Sequence, residues 1–318
     1  MNSFITQPSD LVTDHAQTRQ GFLEIALEKN KQADPYVDQA KTLLHEILVA
    51  NSPDDILDLS AIRPAVLTAS GLSTKALKYL TLEDENEAIE QLITKVLEPA
   101  GDKFRDELVY RFLLIKGDAL GGRMRNIVGH IAQRRLIQRI ASYVDTLGLD
   151  FKWFSNTTKA WITTDILGLD ASDVKAFWWQ IDGHDYVLAF NLNIPTVKKN
   201  VDINLFKATP ETYGTGSEII SDTNSMIMFG ELKGGVDPAG ADEHWKTANT
   251  ALQRIRDAFS EIDIPIKTSF VGAAIEVSMS EEIFNQLSNG IMTNAANLYK
   301  DDQLSEYAKW IVKGTQDD

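Results

Sequence analysis

The feature that most constrains this chain is an apolar run, residues 226–235, that ends in a carboxylate, an ammonium and two glycines. A run of this kind is typical of a buried strand. Residues two apart in a strand share a face, so we expect Glu231 and Lys233 to project side by side. Because burying either charge alone is costly, each needs a partner. Two interpretations stay open: an ordinary strand-end ion pair, or a divalent-metal site whose lysine orients or activates a water.

The composition limits which metal site is possible. The 318 residues are enough for one large or two moderate domains, and there is no cysteine. The chain therefore has no disulfides or thiolate metal sites, and we expect a cytoplasmic protein without a membrane segment. A metal site here would use oxygen and perhaps imidazole ligands, which favours Mg²⁺.

The charge distribution bears on nucleic-acid binding. The formal net charge is -15, which argues against a broadly basic DNA-binding surface. Between residues 119 and 144, however, there is no acidic residue and there are five arginines: Arg123, Arg125, Arg134, Arg135 and Arg139. This basic strip is compatible with a local phosphate-binding site. The alternative is a solvated helix face.

The pattern of apolar residues changes near residue 150. Residues 1–150 read as helices throughout, with separate helices over 9–32 and 35–50 because Pro35 fits a first turn. Another helix is predicted to open at Gly121–Gly122. Residues 151–318 read as a mixed sheet with helices, the predicted strands being 187–194, 201–206, 226–232 and 269–275. We therefore predict a mixed α/β core, a mixed sheet flanked by helices, over residues 151–318, and an N-terminal helical lobe over residues 1–150.

A magnesium site normally needs a second carboxylate, and two aspartates precede Glu231. If the intervening chain is extended, Asp222 lies about 30 Å away. Antiparallel pairing of 201–206 with 227–232 instead brings Asp202 opposite Glu231, with Cβ atoms about 5 Å apart. The strand register favours Asp202 as the second ligand. The alternative is an aspartate that simply follows a Lys-Lys turn at a strand edge.

Two further candidate site residues, His244 and Asp237, follow Lys233 in the sequence. His244 lies at the start of the next helix and shares a helical face with Ala248 and Ile255. It is either a hydrogen-bonded core histidine or a residue that positions or deprotonates a water. Asp237, next to Pro238, either accepts a hydrogen bond from a cytosine amino group or forms an Asx turn.

An aspartate on one strand followed by Glu-x-Lys on the next resembles the nuclease core of many type II restriction endonucleases. The chain is similar to the AvaI/BsoBI restriction enzymes in particular, and this resemblance extends from about Leu27 to Trp310. The segments that carry it are Val197–Ile203, Gly230–Leu252 and Ser269–Glu276, with Leu97–Gly101 and Gly117–Asn126 in the helical half. The loop 207–225 departs from the family pattern, and Asp222 has no counterpart there.

The resemblance implies a homodimeric, Mg²⁺-dependent endonuclease that cuts double-stranded DNA after the first base of the palindrome CYCGRG. Asp202, Glu231 and Lys233 match the family's catalytic residues, and His244 matches a histidine that helps to activate water. The expected metal ligands are Asp202, Glu231 and the carbonyl oxygen of Leu232. The expected DNA contacts are Lys75, Arg123, Arg125, Lys198, Lys199 and Asp237. The helical lobe would clamp DNA and supply dimer contacts.

Two other functions fit the same residues. A repair or junction-resolving nuclease with this core would cut by DNA structure and not by sequence. A DNA-binding protein without cleavage would use Glu231 and Lys233 only as an ion pair.

Overall fold

The computed structural model describes residues 1–315, apart from the Arg125 side chain. The chain forms two compact units, one of residues 26–126 and one of residues 1–25 with the chain from residue 127 onward. Two long helices, α1 (His15–Glu46) and α4 (Phe104–Thr146), each contribute to both units. The boundary predicted near residue 150 from the change in pattern lies just after α4 ends.

The helical unit is built from parts of α1 and α4 together with α2 (Arg63–Ala69) and α3 (Leu82–Leu92). Short 3-10 turns and one π-helical segment, Ile93–Leu97, connect them. Its core is formed by apolar side chains that include Leu43, Ile47, Val66, Leu97 and Leu108. This unit contains no strand among its described residues, as the sequence predicts.

Both predicted helix breaks are wrong. Pro35 lies inside α1, and Gly121 and Gly122 lie inside α4. Proline and glycine destabilise a helix interior, by roughly 3 and 1 kcal/mol. Packing outweighs this cost because apolar side chains anchor α1 on both sides of the proline: Ile25 in one core and Leu43 in the other.

The second unit contains one eight-stranded mixed sheet, with the strand order β2-β1-β3-β4-β5-β6-β7-β8. The strands are β1 (Phe151–Ser155), β2 (Trp161–Thr163), β3 (Val174–Ile181), β4 (His184–Ile194), β5 (Lys199–Lys207), β6 (Met226–Lys233), β7 (Lys267–Gly272) and β8 (Asn294–Asn297). Neighbours from β2 to β6 are antiparallel, and β6, β7 and β8 run parallel. The predicted mixed α/β class is confirmed.

Helices cover both faces of this sheet. After the one-turn helix α5 (Pro210–Tyr213), α6 (Pro238–Ser260) and α7 (Val277–Ser288) pack on one face through Trp245, Leu252 and Ile283. The second half of α4 and the last helix, α8 (Asp301–Val312), pack on the other face through Leu136, Ile140 and Tyr307. Within the described chain, no helix is both long and apolar enough to cross a membrane.

Candidate active site

The ends of β5 and β6 create the site because their pairing stops there. The last paired residues are Ile203 and Gly230, in the antiparallel register that the sequence predicts. One step beyond, the Leu232 N–H donates to the Asp202 carboxylate, with 3.0 Å between N and Oδ2. A side chain thus replaces the next backbone acceptor of the ladder. The strands separate at this point without leaving the Leu232 amide unpaired.

Lys233 joins the two acidic side chains. Its Nζ lies 2.6 Å from Oε2 of Glu231 and 3.0 Å from Oδ2 of Asp202. The Glu231 side chain is almost completely buried, whereas those of Asp202 and Lys233 keep 24% and 21% of their exposure. The site therefore opens to solvent on the Asp202 and Lys233 side. Charge-assisted hydrogen bonds of this length fix the lysine between both carboxylates.

The electrostatics of the site are unbalanced. Burial, and then the charge of Asp202, raise the pKa of the Glu231 carboxyl to about 7, and Lys233 only partly opposes them. Burial acts against the ammonium of Lys233, but Glu231 and Asp202 outweigh it and raise the lysine pKa. Lys233 is therefore charged at neutral pH. Two carboxylates facing one ammonium leave excess negative charge, which a bound cation would neutralise.

The donor set fits a hard divalent cation. In a strand, the N–H and C=O of one residue point toward the same neighbour, so the Leu232 carbonyl faces Asp202 as its N–H does. The Lys233 carbonyl points to the other side and accepts from the Ala273 N–H. Among the described residues, no three His, Asp or Glu side chains cluster as a metal-binding group. Two carboxylates and one carbonyl suit Mg²⁺, which usually keeps several waters.

The loop after Lys233 is held by close backbone contacts. A Cβ atom at Gly234 would lie 2.5 Å from the Val128 carbonyl oxygen of α4. A Cβ at Gly235 would lie 2.7 Å from Nε2 of His244. The Val128 backbone leaves no room for a Cβ at Gly234, whereas a Cβ at Gly235 requires only that the exposed His244 ring move, so Gly234 in particular fixes the loop that carries Lys233 into α6. In the sequence, the position of the glycine pair directly after Lys233 was the available signal for this role.

Three other candidate residues, His244, Asp237 and Asp222, contact residues close to them in the sequence. The His244 side chain is exposed and lies against Gly235 and Gly240, so it is not a buried core histidine. Asp237 caps α6, since its carboxylate accepts from the Ala239 N–H at 3.0 Å. This contact is the Asx turn, one of the two interpretations of Asp237 that the sequence left open. Asp222 accepts from the Asn224 N–H and the Ser225 hydroxyl at the short turn 223–225. Asp222 is thus occupied by its own turn.

The predicted DNA contacts lie in different parts of the chain. Lys75 is exposed in the helical unit, where Arg123 also lies and donates to the Tyr36 hydroxyl at 2.7 Å. The Arg125 side chain is outside the described residues. Lys198 and Lys199 are exposed at the turn between β4 and β5. Lys199 belongs to the same strand as Asp202.

The basic strip of α4 is less free than its sequence indicates. Arg134 and Arg135 lie 3.4 and 3.5 Å from the Glu24 carboxylate, and Arg135 also stacks over the Tyr299 ring. Arg139 lies 2.6 Å from Asp301. The acidic partners that are absent from the helix itself come from distant segments, so these three arginines are not an unopposed phosphate-binding strip.

Comparison with known proteins identifies the family. The family model described as "Restriction endonuclease BsobI" matches residues 1–314. The type II restriction enzyme BsoBI of Geobacillus stearothermophilus is 47% identical over 307 residues, which cover 95% of both chains. The type II restriction enzyme AvaI of Anabaena variabilis is 44% identical over 310 residues, covering 97% of this chain and 98% of that enzyme. The chain belongs to the BsoBI family of type II restriction endonucleases, which are site-specific deoxyribonucleases.

Proposed function

We propose that this protein is a Mg²⁺-dependent homodimer that cuts both strands of DNA at the palindrome CYCGRG, after the first base. The observation that carries the proposal is the cluster of Asp202, Glu231 and Lys233 at the ends of β5 and β6 in a chain of this family. The segments around these residues are also those in which the chain resembles the AvaI/BsoBI enzymes.

Each residue of the cluster has a chemical role in this proposal. Asp202, Glu231 and the Leu232 carbonyl would hold Mg²⁺. When bound, the ion stabilises the charge that develops on the scissile phosphate. Lys233 is held by two carboxylates at the solvent-open side, where its ammonium can orient or donate to a water. His244, exposed beside Gly235, would help to position that water or accept its proton.

DNA recognition is divided between two kinds of contact. Lys75 and Asp237 would read base edges, and Arg123, Arg125, Lys198 and Lys199 would hold backbone phosphates. Asp237 uses one carboxylate oxygen to cap α6, which leaves the other oxygen for a base amino group. A palindromic target is read most simply by a two-fold dimer, in which residues 1–150 would supply clamp and dimer contacts.

The test is cleavage of a plasmid that contains one CTCGAG site, beside a plasmid that lacks every CYCGRG sequence. With Mg²⁺ we expect the first plasmid to become linear and the second to stay supercoiled. With Ca²⁺ in place of Mg²⁺ we expect binding of the site without cleavage.

The same experiment separates the two other functions. Cleavage of both plasmids, increased by junctions or damage, would indicate a structure-selective nuclease. Binding that persists while Mg²⁺ leaves both plasmids intact would indicate a non-cleaving DNA-binding protein, with Glu231 and Lys233 as an ion pair.

A further inference from the structure

A groove of about 860 Å³ lies between the turn that joins β4 to β5 and the side of α6. Both elements belong to the unit that carries the nuclease cluster. The groove is open to solvent, and most of the residues that line it are polar or charged. The charged side chains in its wall are Lys198, Lys199, Arg254, Arg256, Asp257 and Glu261.

The cations of this groove are not matched by acids. Four basic and two acidic side chains give the lining a formal charge of +2, on a chain whose net charge is -15. In the part of the chain that the structure describes, none of the four cations lies within 4.0 Å of a carboxylate oxygen. Unpaired cations gathered in one groove favour an anionic ligand.

Arg256 is a partly buried example of a cation in this groove without a carboxylate partner. Its guanidinium donates to the Gln253 side-chain oxygen at 2.8 Å and to the Thr268 hydroxyl at 3.4 Å, which are both neutral. Burial lowers the pKa of this arginine, which nonetheless stays charged. A half-buried guanidinium bonded only to neutral groups can still gain a charge-assisted hydrogen bond from a phosphate.

The position of the groove identifies the anion. Lys199 and Asp202 lie on the same strand, three residues apart, which corresponds to about 10 Å at 3.3 Å per residue. DNA rises about 3.4 Å per phosphate along its axis, so a span of this length reaches the phosphates next to the scissile one. A DNA strand whose scissile phosphate reaches Asp202 therefore has its neighbouring phosphates within range of the groove.

We propose that this groove binds the sugar–phosphate backbone of DNA beside the cleavage site, through Lys199, Arg254 and Arg256, independently of base sequence. The inference rests on the proposed function for its ligand. It adds the two arginines of α6, which the sequence analysis did not select, to the predicted contacts Lys198 and Lys199. Asp257 and Glu261 follow these arginines closely in the sequence and make the segment look charge-balanced.

The test measures how DNA binding depends on salt. Lys199→Gln, Arg254→Gln and the double variant are compared with the wild type on a duplex that contains CTCGAG, with Ca²⁺, between 50 and 200 mM salt. Each lost phosphate contact lowers the magnitude of the slope of log K against log[salt] by about 0.9. We expect each single variant to lose about one unit of slope and the double variant about two. The loss should be equal on a duplex without the site.

Lys207→Gln is the matched control, because Lys207 is an exposed lysine at the other end of β5. We expect it to keep the wild-type slope. Circular dichroism and thermal unfolding of each variant verify folding. A double variant with the wild-type slope, or a loss confined to the CTCGAG duplex, would overturn the proposal. Since these slopes need no cleavage, wild-type binding without cutting would defeat the proposed nuclease activity and leave this inference standing.

Discussion

At the scale of single residues, the central feature is one lysine shared by two carboxylates. Lys233 Nζ contacts Glu231 at 2.6 Å and Asp202 at 3.0 Å, and it remains charged because both acids raise its pKa. An ion pair that only stabilises a strand end needs one acid. A second acid in the same place adds repulsion, which a divalent cation removes.

Replacing the lysine tests whether this cluster performs chemistry. We expect Lys233→Gln to reduce the single-turnover cleavage rate by about 10²–10³-fold, the usual range for loss of one positioned hydrogen-bond donor at a developing charge. Binding to CTCGAG with Ca²⁺ should persist, because the carboxylates stay in place. Lys246→Gln is the control, since Lys246 makes an exposed ion pair with Asp242 on α6. Equal cleavage by both variants would show that Lys233 serves only as an ion pair.

The pKa of Glu231 predicts how metal binding depends on pH. In the metal-free fold this pKa is raised from 4.5 to about 7. Between these two pH values the folded protein therefore holds a proton on Glu231 that the unfolded chain has released. Its contribution to stability is therefore present below about pH 4.5 and is lost as the pH rises through 7. A cation binds the deprotonated form, so we expect Ca²⁺ affinity to be about tenfold weaker at pH 6 than at pH 8.

Isothermal titration calorimetry of the DNA-bound protein at the two pH values measures this difference. In Glu231→Gln the remaining Ca²⁺ binding should no longer change between pH 6 and pH 8. A wild-type dissociation constant that is the same at both pH values would contradict the raised pKa.

The arrangement of Asp202 and Glu231 could be predicted because strand geometry is regular. A period of two and one antiparallel register are enough to bring the two residues together. The surroundings of His244 and Asp237 could not be predicted in the same way. A helix start can rotate about its axis, and the contacts with Gly235 and Gly240 show where the His244 ring lies.

At the scale of elements, the loop that follows β6 is held from three sides. α4 contacts Gly234, α6 contacts Gly235 through His244, and α1 contacts Val236, whose Cγ1 would lie 2.6 Å from a Cβ at Gly21. This packing fixes the backbone that leaves Lys233. Catalytic groups need such support because small displacements cost large factors in rate.

Gly234→Ala tests this packing. Its new Cβ would meet the Val128 carbonyl oxygen at 2.5 Å, so the backbone must shift. We expect about 1–3 kcal/mol lower stability, together with slower cleavage. Gly129→Ala is the control: it neighbours Val128 on α4, has open space around it, and should stabilise the helix by about 0.5–1 kcal/mol. Urea unfolding and single-turnover cleavage measure both effects. A Gly234→Ala variant with wild-type stability and rate would contradict this role.

Packing between distant segments decides which of these elements can be predicted from the sequence. The strands β4 to β7 and the helix α6 were predicted because their apolar periodicity is clear. β1 to β3 were not predicted, nor was β8, whose four residues, Asn-Ala-Ala-Asn, carry no strand pattern. Its burial depends on pairing with β7. The continuity of α1 through Pro35 likewise depends on the cores at its two ends.

At the scale of the whole molecule, charge and association decide how DNA is bound. Arg134 and Arg139 find acidic partners 110 and 162 residues away in the chain, which no local pattern could indicate. Of the predicted phosphate contacts, Lys198 and Lys199 lie in the basic groove. The helical unit exposes several large apolar side chains, namely Leu27, Val49, Tyr79, Leu82 and Leu114. Such exposure is typical of an interaction surface.

The proposed dimer predicts a definite mass. The chain has a mass of 35.4 kDa, so sedimentation equilibrium at micromolar concentration should give twice this value for the protein alone, and twice this value plus the mass of one duplex for the complex with DNA. Leu82→Glu and Leu114→Glu should shift the protein toward the monomer if these residues lie in the interface. Leu167→Glu, an exposed leucine of the other unit, is the control and should leave the dimer intact. A wild-type monomer that cuts both strands at full rate would contradict the proposal.

The most direct test of the account compares two aspartates in the single-site plasmid assay. Asp202→Asn keeps the size of the side chain but removes the charge that faces Glu231 and Lys233. Asp222→Asn makes the same change at a turn away from the cluster. With Mg²⁺, we expect Asp222→Asn to linearise the plasmid like the wild type and Asp202→Asn to lose at least about 10²-fold in rate while still binding CTCGAG. Normal cleavage by Asp202→Asn, or its loss in Asp222→Asn alone, would contradict the assignment of this cluster as the catalytic site.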